Sequence, residues 1–126
     1  MKLHADPQSA LNTVTAYGDD YLEINQQRYT QSLIVMPEGP VIPWAPQGFA
    51  GLAEADFASI AELVPELMIF GSGARLRFPH PRLTAALTRR GIGVDTMDMK
   101  AACRTYNILM AEGRKVLAAL LLETAA

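Results

Sequence analysis

The sequence lacks the features of several protein classes. It has one cysteine, Cys103, so no disulfide can form within the chain, which fits a reducing compartment. Its 11 lysines and arginines do not exceed its 13 acidic residues, whereas a general nucleic-acid binder usually carries a basic excess. Its longest apolar run, residues 116–122, is far shorter than the roughly 20 residues that span a bilayer. These absences favour a cytoplasmic protein with no nucleic-acid partner and no membrane span.

The first residues also lack the features of a targeting segment. Residues 1–7 have no apolar core of the length that a signal peptide needs, and they are not Arg-rich like a mitochondrial presequence. Because residues 1–12 show no hydrophobic periodicity, we interpret them as a flexible leader. Residues 13–124 then form a single domain that is long enough to bury a core.

The hydrophobic pattern predicts strands first and alternating strands and helices later. Short runs with a period of two predict an antiparallel meander, and they span residues 13–17, 21–24 and 31–36. Several prolines then predict an irregular segment around Trp44. Residues 67–70 are typical of a strand buried on both faces. This order predicts an α/β fold, with one mixed β-sheet in which β-α units follow the meander.

Capping and breaking residues predict two helices in the middle of the chain. We expect the first helix to begin at Asp56, to bury Val64 on its inner face and to end at Pro65. The second helix should have Pro81 in its first turn and Gly91 at its end, because glycine readily adopts the left-handed conformation of a helix terminus.

The last third of the chain contains a third predicted helix and an ambiguous tail. The helix should follow a cap at Asp95, Thr96 or Asp98 and end at Gly113. The alanines and leucines of residues 115–122 favour a helix by propensity. The same apolar run also fits a buried strand. The residues alone leave both structures open.

Motifs in this region resemble a known family. The sequence Ala-Cys-Arg-Thr-Tyr-Asn at 102–107, followed by Glu-Gly-Arg at 112–114, resembles a small family of mostly uncharacterised proteins. Its best-known animal members are an assembly factor of mitochondrial respiratory complex I and an adipogenesis-associated protein with an Mth-like domain. The resemblance covers about residues 13–122. It implies a three-layer α/β domain in which residues 115–122 form a strand, and it implies no established reaction.

A group of polar residues predicts a ligand-binding cleft. At about 100° per residue, Arg104 and Asn107 share one arc of the third helix beside the core-facing Tyr106. Guanidinium groups match carboxylate or phosphate, and backbone N–H groups of a glycine-rich turn can bind an anion. The alternative is structural, with the polar side chains tying the chain together and the glycines making a tight strand exit. The candidate residues are Gly71, Ser72, Gly73, Arg104, Tyr106, Asn107 and Arg114.

Trp44 and Cys103 each have two interpretations. Trp44 could be a partner-binding residue, or it could fill the core beneath an irregular loop. Cys103 would need a neighbouring base to act as a nucleophile, and the chain offers only His4 and His80. We therefore expect a structural thiol and no catalytic residue. Two histidines and one cysteine also fall short of a zinc site, and no metal or cofactor is expected.

Two functions are compatible with these residues. The first is a non-enzymatic interaction or assembly-type domain that binds an unknown protein or a second copy of itself. The second is a binder of a small anionic ligand, or an unrecognised enzyme, that uses the same cleft. An exposed apolar patch around Trp44 would favour the first. A closed pocket in which Arg104, Arg114 and the amides of residues 71–73 converge would favour the second.

Overall fold

The structure, a computed structural model, describes residues 11–123 and contains two β-sheets. The strands are β1 (Val14–Tyr17), β2 (Leu22–Ile24), β3 (Gln27–Tyr29), β4 (Leu33–Val35), β5 (Ile42–Pro43), β6 (Leu67–Gly71), β7 (Gly93–Met97) and β8 (Val116–Leu120). The helices are α1 (Glu54–Ala61), α2 (Ala85–Arg89) and α3 (Met99–Ala111), with short 3-10 helices at Phe49–Gly51 and Pro81–Thr84. The predicted mixed α/β fold class is confirmed.

The larger sheet has five strands in the order β5-β4-β8-β6-β7. Strand β8 lies at its centre, parallel to β6 and antiparallel to β4. All five of its residues are buried, because Val116, Ala118 and Leu120 face one core cluster while Leu117 and Ala119 face the other. The strand that the family resemblance implied for the tail is therefore confirmed, and the helical alternative is wrong.

The smaller sheet is an antiparallel meander of β1, β2 and β3. The prediction that the run at 31–36 completes this meander is wrong, since β4 pairs with β8 in the larger sheet. The reason is a two-residue turn. Asn25 and Gln26 have φ values of 51° and 70°, and two left-handed residues in succession make the tight hairpin turn that starts β3 at once.

The larger sheet is covered on both faces. One face packs against α3 and the meander, in a core cluster that includes Leu22, Ile69 and Tyr106. The other face packs against α1 and α2, in a cluster that includes Phe57 and Leu87. Three layers result: α1 and α2, the larger sheet, and a layer in which α3 packs against both that sheet and β1 of the meander.

The first helix differs from the prediction at both ends. It begins at Glu54, and Asp56 lies in its first turn, where its carboxylate accepts a hydrogen bond of 2.8 Å from the Ala53 backbone N–H. Val64 is not on the inner face. It is 56% exposed with a φ of 49°, because the helix has already ended at Ala61 before Pro65 is reached.

The other predicted helix ends are confirmed. Gly91 and Gly113 have φ values of 74° and 83° and follow α2 and α3. Of the three candidate caps for α3, Asp98 is the one used, because its Oδ1 accepts a hydrogen bond of 2.9 Å from the Ala101 N–H. Pro81 begins a 3-10 helix that leads directly into α2.

Residues 1–10 of the predicted flexible leader lie outside the described residues. Its last two residues are bound to the fold. Leu11 packs against the core cluster of α3, and the Asn12 side chain donates hydrogen bonds of 2.8 Å and 2.7 Å to the carbonyl groups of Met36 and Gly39. The ordered part of the chain therefore begins before residue 13.

Candidate functional site

The Asn107 side chain binds the backbone of β1. Its Oδ1 accepts a hydrogen bond of 2.9 Å from the Val14 N–H, and its Nδ2 donates one of 2.9 Å to the Val14 carbonyl. β1 is an edge strand of the meander, and within residues 11–123 no strand pairs with its outer backbone groups. Asn107 therefore takes the place of a strand partner and joins α3 to β1. This geometry corresponds to the structural interpretation of Asn107.

Tyr106 connects the same helix to the start of the described chain. Its ring is fully buried, and its hydroxyl donates a hydrogen bond of 2.8 Å to the Asn12 carbonyl. Burial raises the pKa of this phenol, so it stays protonated and keeps its role as a donor. Tyr106 and Asn107 thus lie together at the contact between α3 and the N-terminal part of the domain.

The two arginines of the predicted cleft lie apart. Arg104 is exposed and donates a hydrogen bond of 3.2 Å to the Tyr17 hydroxyl. Arg114 lies beyond the end of α3, where its Nη2 is 2.7 Å from a Glu66 carboxylate oxygen. α3 ends at Ala111, and its seven residues beyond Arg104 rise by about 10 Å. The hydrogen bond from Arg114 is the largest cause of the lowered Glu66 pKa, so this pair stays ionised.

The turn Gly71-Ser72-Gly73 lies at the opposite end of α3 from Arg114. The Gly73 carbonyl accepts a hydrogen bond of 2.7 Å from the Met99 N–H at the start of the helix. A Cβ atom on Gly71 would come within 3.0 Å of side chains of Ala102 and Leu120. The glycines therefore permit a close approach of strand and helix, as the strand-exit interpretation requires. The structure does not bring this turn together with Arg104 or Arg114.

The sequence reasoning did not predict the ion pair beside this turn. The Arg77 guanidinium forms a salt bridge with Glu123 and lies 4.7 Å from the centre of the Phe49 ring. Burial alone would raise the Glu123 pKa, but the Phe49 N–H and the Arg77 guanidinium lower it below its usual value. No local pattern could have revealed this group, because Arg77 and Glu123 are 46 positions apart.

Trp44 lies in an aromatic cluster of the core. It is 6% exposed and contacts Phe57 and Phe70 edge-on, at 5.6 Å and 6.0 Å between ring centres. Its indole N–H donates a hydrogen bond of 3.2 Å to the Asp56 carbonyl. A shallow hollow of about 500 Å³ lies over it, beside Ser32. The burial corresponds to the core-filling interpretation of Trp44.

A second hollow lies beside the C-terminal end of α3 and has a volume of about 550 Å³. We call it the Met36–Met110 groove. Its wall combines apolar side chains with a basic pair, Arg114 and Lys115, and one carboxylate, Glu38. The sequence reasoning found only Arg114 of this set. The residues that line the groove are Leu11, Met36, Pro37, Glu38, Met110, Gly113, Arg114 and Lys115.

Cys103 should react very slowly with iodoacetamide in the native protein. The thiol is buried beside Met99, with 3.8 Å between the two sulfur atoms, and burial raises its pKa to about 12. Because only the thiolate reacts, the native rate at neutral pH should be lower than the rate of the urea-unfolded chain by on the order of a thousandfold. Mass spectrometry of timed samples measures both rates. Comparable rates in the two states would restore the nucleophile interpretation.

Two further findings concern metals and membranes. Within residues 11–123, no group of three or more His, Cys, Asp and Glu side chains lies close enough to hold a metal ion. The helices of this same range are all too short or too polar to cross a bilayer. His4 lies outside the described residues.

Comparison with known proteins identifies relatives over most of the chain. A family model described as "Protein of unknown function (DUF498/DUF598)" matches residues 14–121. The chain is 29% identical over 110 residues to the NADH dehydrogenase [ubiquinone] 1 alpha subcomplex assembly factor 3 of Bos taurus. That match covers 86% of this chain and 59% of the relative, so the chain spans about three fifths of the relative's length.

Solved structures show the same fold. A crystal structure of a protein from Bordetella parapertussis has a TM-score of 0.87 and 47% identity, and the match covers 93% of this chain and 100% of that one. A solution structure of a Mth938-like domain from Bordetella pertussis has a TM-score of 0.81 and 41% identity, covering 100% and 95%. The family resemblance stated from residues 102–114 is therefore confirmed.

Proposed function

This chain belongs to the DUF498/DUF598 family of proteins of unknown function, and we propose that it is a non-enzymatic interaction domain of the assembly type. Its partner surface is the Met36–Met110 groove. The name of the Bos taurus relative supports the assembly role, and that relative is considerably longer than this chain. The client that we propose is a subunit of a membrane-bound respiratory NADH dehydrogenase.

The groove is the observation that carries this proposal. Methionine side chains are flexible and adapt to varied apolar partners, and Met110 lines the groove together with Met36, which also packs against the core cluster on the other face of the larger sheet. Arg114 and Lys115 stand at its wall, so a partner segment with apolar residues and a carboxylate would match it. The polar residues that could otherwise have supported chemistry, Tyr106 and Asn107, are occupied in hydrogen bonds within the fold.

Deletion of the gene in the organism of origin tests the assembly role. We expect the deletion to lower the amount of assembled NADH dehydrogenase on native gels and to lower NADH:ubiquinone activity of the membranes. A gene copy that carries Lys115→Glu should fail to restore both, because an exposed cation that would meet the partner's carboxylate becomes a second anion beside Glu38. A copy that carries Val64→Asp should restore them, because Val64 is an exposed residue outside the groove. Normal complex levels in the deletion strain would contradict the proposal.

A photo-crosslinking residue at position 36 tests the surface separately. In the same cells it should capture a subunit of the NADH dehydrogenase, whereas the same residue at position 64 should not. Equal capture from both positions would mean that the contact does not involve the groove.

The second candidate function is binding of a small anion in this groove. Its support is the neighbouring pair Arg114 and Lys115 in the groove wall, of which Arg114 also pairs with Glu66. Sulfate should then raise the melting temperature of the parent by mass action. Arg114→Met should abolish this rise and leave the sulfate-free melting temperature nearly unchanged, because the pair with Glu66 is exposed.

Arg104→Met is the matched control for the anion test, since Arg104 is an exposed arginine on α3 that does not line the groove. It should keep the full response to sulfate at constant ionic strength. A parent protein whose melting temperature ignores sulfate would eliminate the anion-binding function and leave the assembly role untouched.

A further inference from the structure

The loop after β6 presents two large apolar side chains to solvent. Leu76 is 53% exposed and Phe78 is 70% exposed. They lie two positions apart in residues 73–82, which we call the arginine loop because it also contains Arg75, Arg77 and Arg82. An isolated exposed apolar side chain is ordinary. The exposure of two such side chains on one loop, between arginines, indicates a binding surface.

The arginine loop is fixed in the orientation that exposes these side chains. The buried Ser72 hydroxyl donates to the Arg75 carbonyl at 2.7 Å and accepts from the Arg77 N–H at 2.9 Å. The Arg77 guanidinium donates a hydrogen bond of 2.8 Å to the Ser72 carbonyl and pairs with Glu123. With Arg77 directed into the fold, its two neighbours in the chain point outward. The exposure is thus a consequence of specific bonds.

Prolines stiffen the second half of the loop. Pro79 follows Phe78 and Pro81 follows His80, and a residue before proline is restricted to extended backbone. His80 has this conformation, with φ of −59° and ψ of 137°. A stiff extended loop cannot fold back to cover Phe78. The apolar pair therefore stays available at little further cost in conformational entropy.

Most of the charge around the loop is positive, with the Glu123 carboxylate beside Arg77 as its anion. Residues 67–94 contain five arginines and neither aspartate nor glutamate, although the whole chain has a net charge of −2. Among the described residues, salt bridges involve only Arg77 and Arg90 of these five. Arg75 and Arg82 are exposed. This part of the surface is thus positive and apolar at once, which is complementary to a negatively charged, partly apolar surface.

We propose that the arginine loop binds the surface of an anionic lipid bilayer. Leu76 and Phe78 enter the boundary between headgroups and acyl chains, and Arg75 and Arg82 bind lipid phosphate groups. A bilayer accepts a protruding loop without a preformed pocket. A peptide would need a groove, and neither the Trp44 hollow nor the Met36–Met110 groove is lined by residues of this loop. The binding is peripheral and does not depend on the proposed assembly role.

Flotation of the purified full chain with lipid vesicles tests the proposal. The protein should float with phosphatidylcholine vesicles that contain phosphatidylglycerol and should not float with phosphatidylcholine alone. The double variant Leu76→Ser/Phe78→Ser should bind at least about tenfold more weakly, because two apolar side chains no longer leave water. Arg75→Gln/Arg82→Gln should lose about fivefold in affinity per arginine.

The matched control is Lys100→Gln/Ile108→Ser. It also removes a cation and an exposed apolar side chain, since Ile108 is 59% exposed, but both residues lie on α3. The control should bind like the parent. Equal losses in the control and in the loop variants would overturn the assignment to this loop. Absence of binding to anionic vesicles would overturn the membrane proposal.

A fluorescent label provides a readout that does not depend on the stability of these variants. Phe78→Cys can be labelled selectively with an environment-sensitive dye, because the natural Cys103 is buried. The emission should shift to the blue with anionic vesicles, and the same label at Ile108→Cys should not shift. An unshifted label at position 78 would show that the loop stays in water and would overturn the proposal.

Discussion

Replacing Trp44 by alanine should lower the free energy of unfolding by about 3–5 kcal/mol, the range for a buried aromatic side chain. The indole ring fills the space between Phe57 and Phe70, and its N–H satisfies the Asp56 carbonyl at the start of α1. Alanine would leave a cavity and remove one hydrogen bond to that carbonyl, which still accepts one from the Ser59 hydroxyl. Urea denaturation followed by circular dichroism measures the change, since the variant has lost the chain's single tryptophan.

Trp44→Phe is the control for this prediction. Phenylalanine keeps an aromatic ring in contact with Phe57. It loses the hydrogen bond but only part of the side-chain volume, so the free energy of unfolding should fall clearly less than in Trp44→Ala. A partner-binding tryptophan on the surface would behave differently, because surface substitutions usually change stability by less than about 0.5 kcal/mol. A Trp44→Ala variant as stable as the parent would therefore contradict the buried aromatic cluster.

Strand β8 shows that helix propensity does not predict the structure of a segment buried on both faces. Ala118 and Ala119 are strong helix formers, yet they lie in β8 with neighbours on both sides and both faces covered. Such burial favours an apolar segment without regard to its intrinsic preference. The family resemblance identified the strand correctly because homologous chains share the sheet that surrounds it. The residues alone could not decide it.

The missed strand β3 has a different cause. Gln27 and Arg28 are exposed, so β3 has no apolar alternation by which to recognise it. It exists because Asn25 and Gln26 adopt left-handed backbone and direct the chain back along β2. Only the turn residues, and not the apolar pattern, could have indicated this hairpin. The apolar pattern, which correctly found residues 67–70, had nothing to detect here.

The candidate-site residues bind partners that are distant in the sequence, and these partners could not be predicted from it. Helical periodicity correctly predicted that Arg104 and Asn107 lie near each other on α3. It could not predict that Asn107 would bind Val14, which is 93 positions away, or that Arg114 would pair with Glu66, which is 48 positions away. Ligand binding by these residues stays a prediction. The groove beside Arg114 gives that prediction a location.

Asn107→Leu should lower the free energy of unfolding by about 2–4 kcal/mol. Leucine has the same number and branching of side-chain heavy atoms but cannot bond the Val14 N–H or carbonyl, and each stranded polar group costs about 1–3 kcal/mol. The partly buried position of these bonds favours the lower part of the combined range. The effect should appear in urea denaturation followed by Trp44 fluorescence, with the slope against urea unchanged because the folded core is the same.

Two variants separate the Asn107 bonds from general effects of substitution on α3. Asn107→Asp keeps an acceptor for the Val14 N–H but loses the donor to the Val14 carbonyl, so it should still destabilise the protein. Arg104→Met lies nearly one turn away on the same arc and removes only an exposed hydrogen bond to Tyr17, so its effect should stay within about 0.5 kcal/mol. If Asn107→Leu were as mild as Arg104→Met, the amide would not be holding β1 to the helix, and Asn107 would again be a candidate for ligand binding.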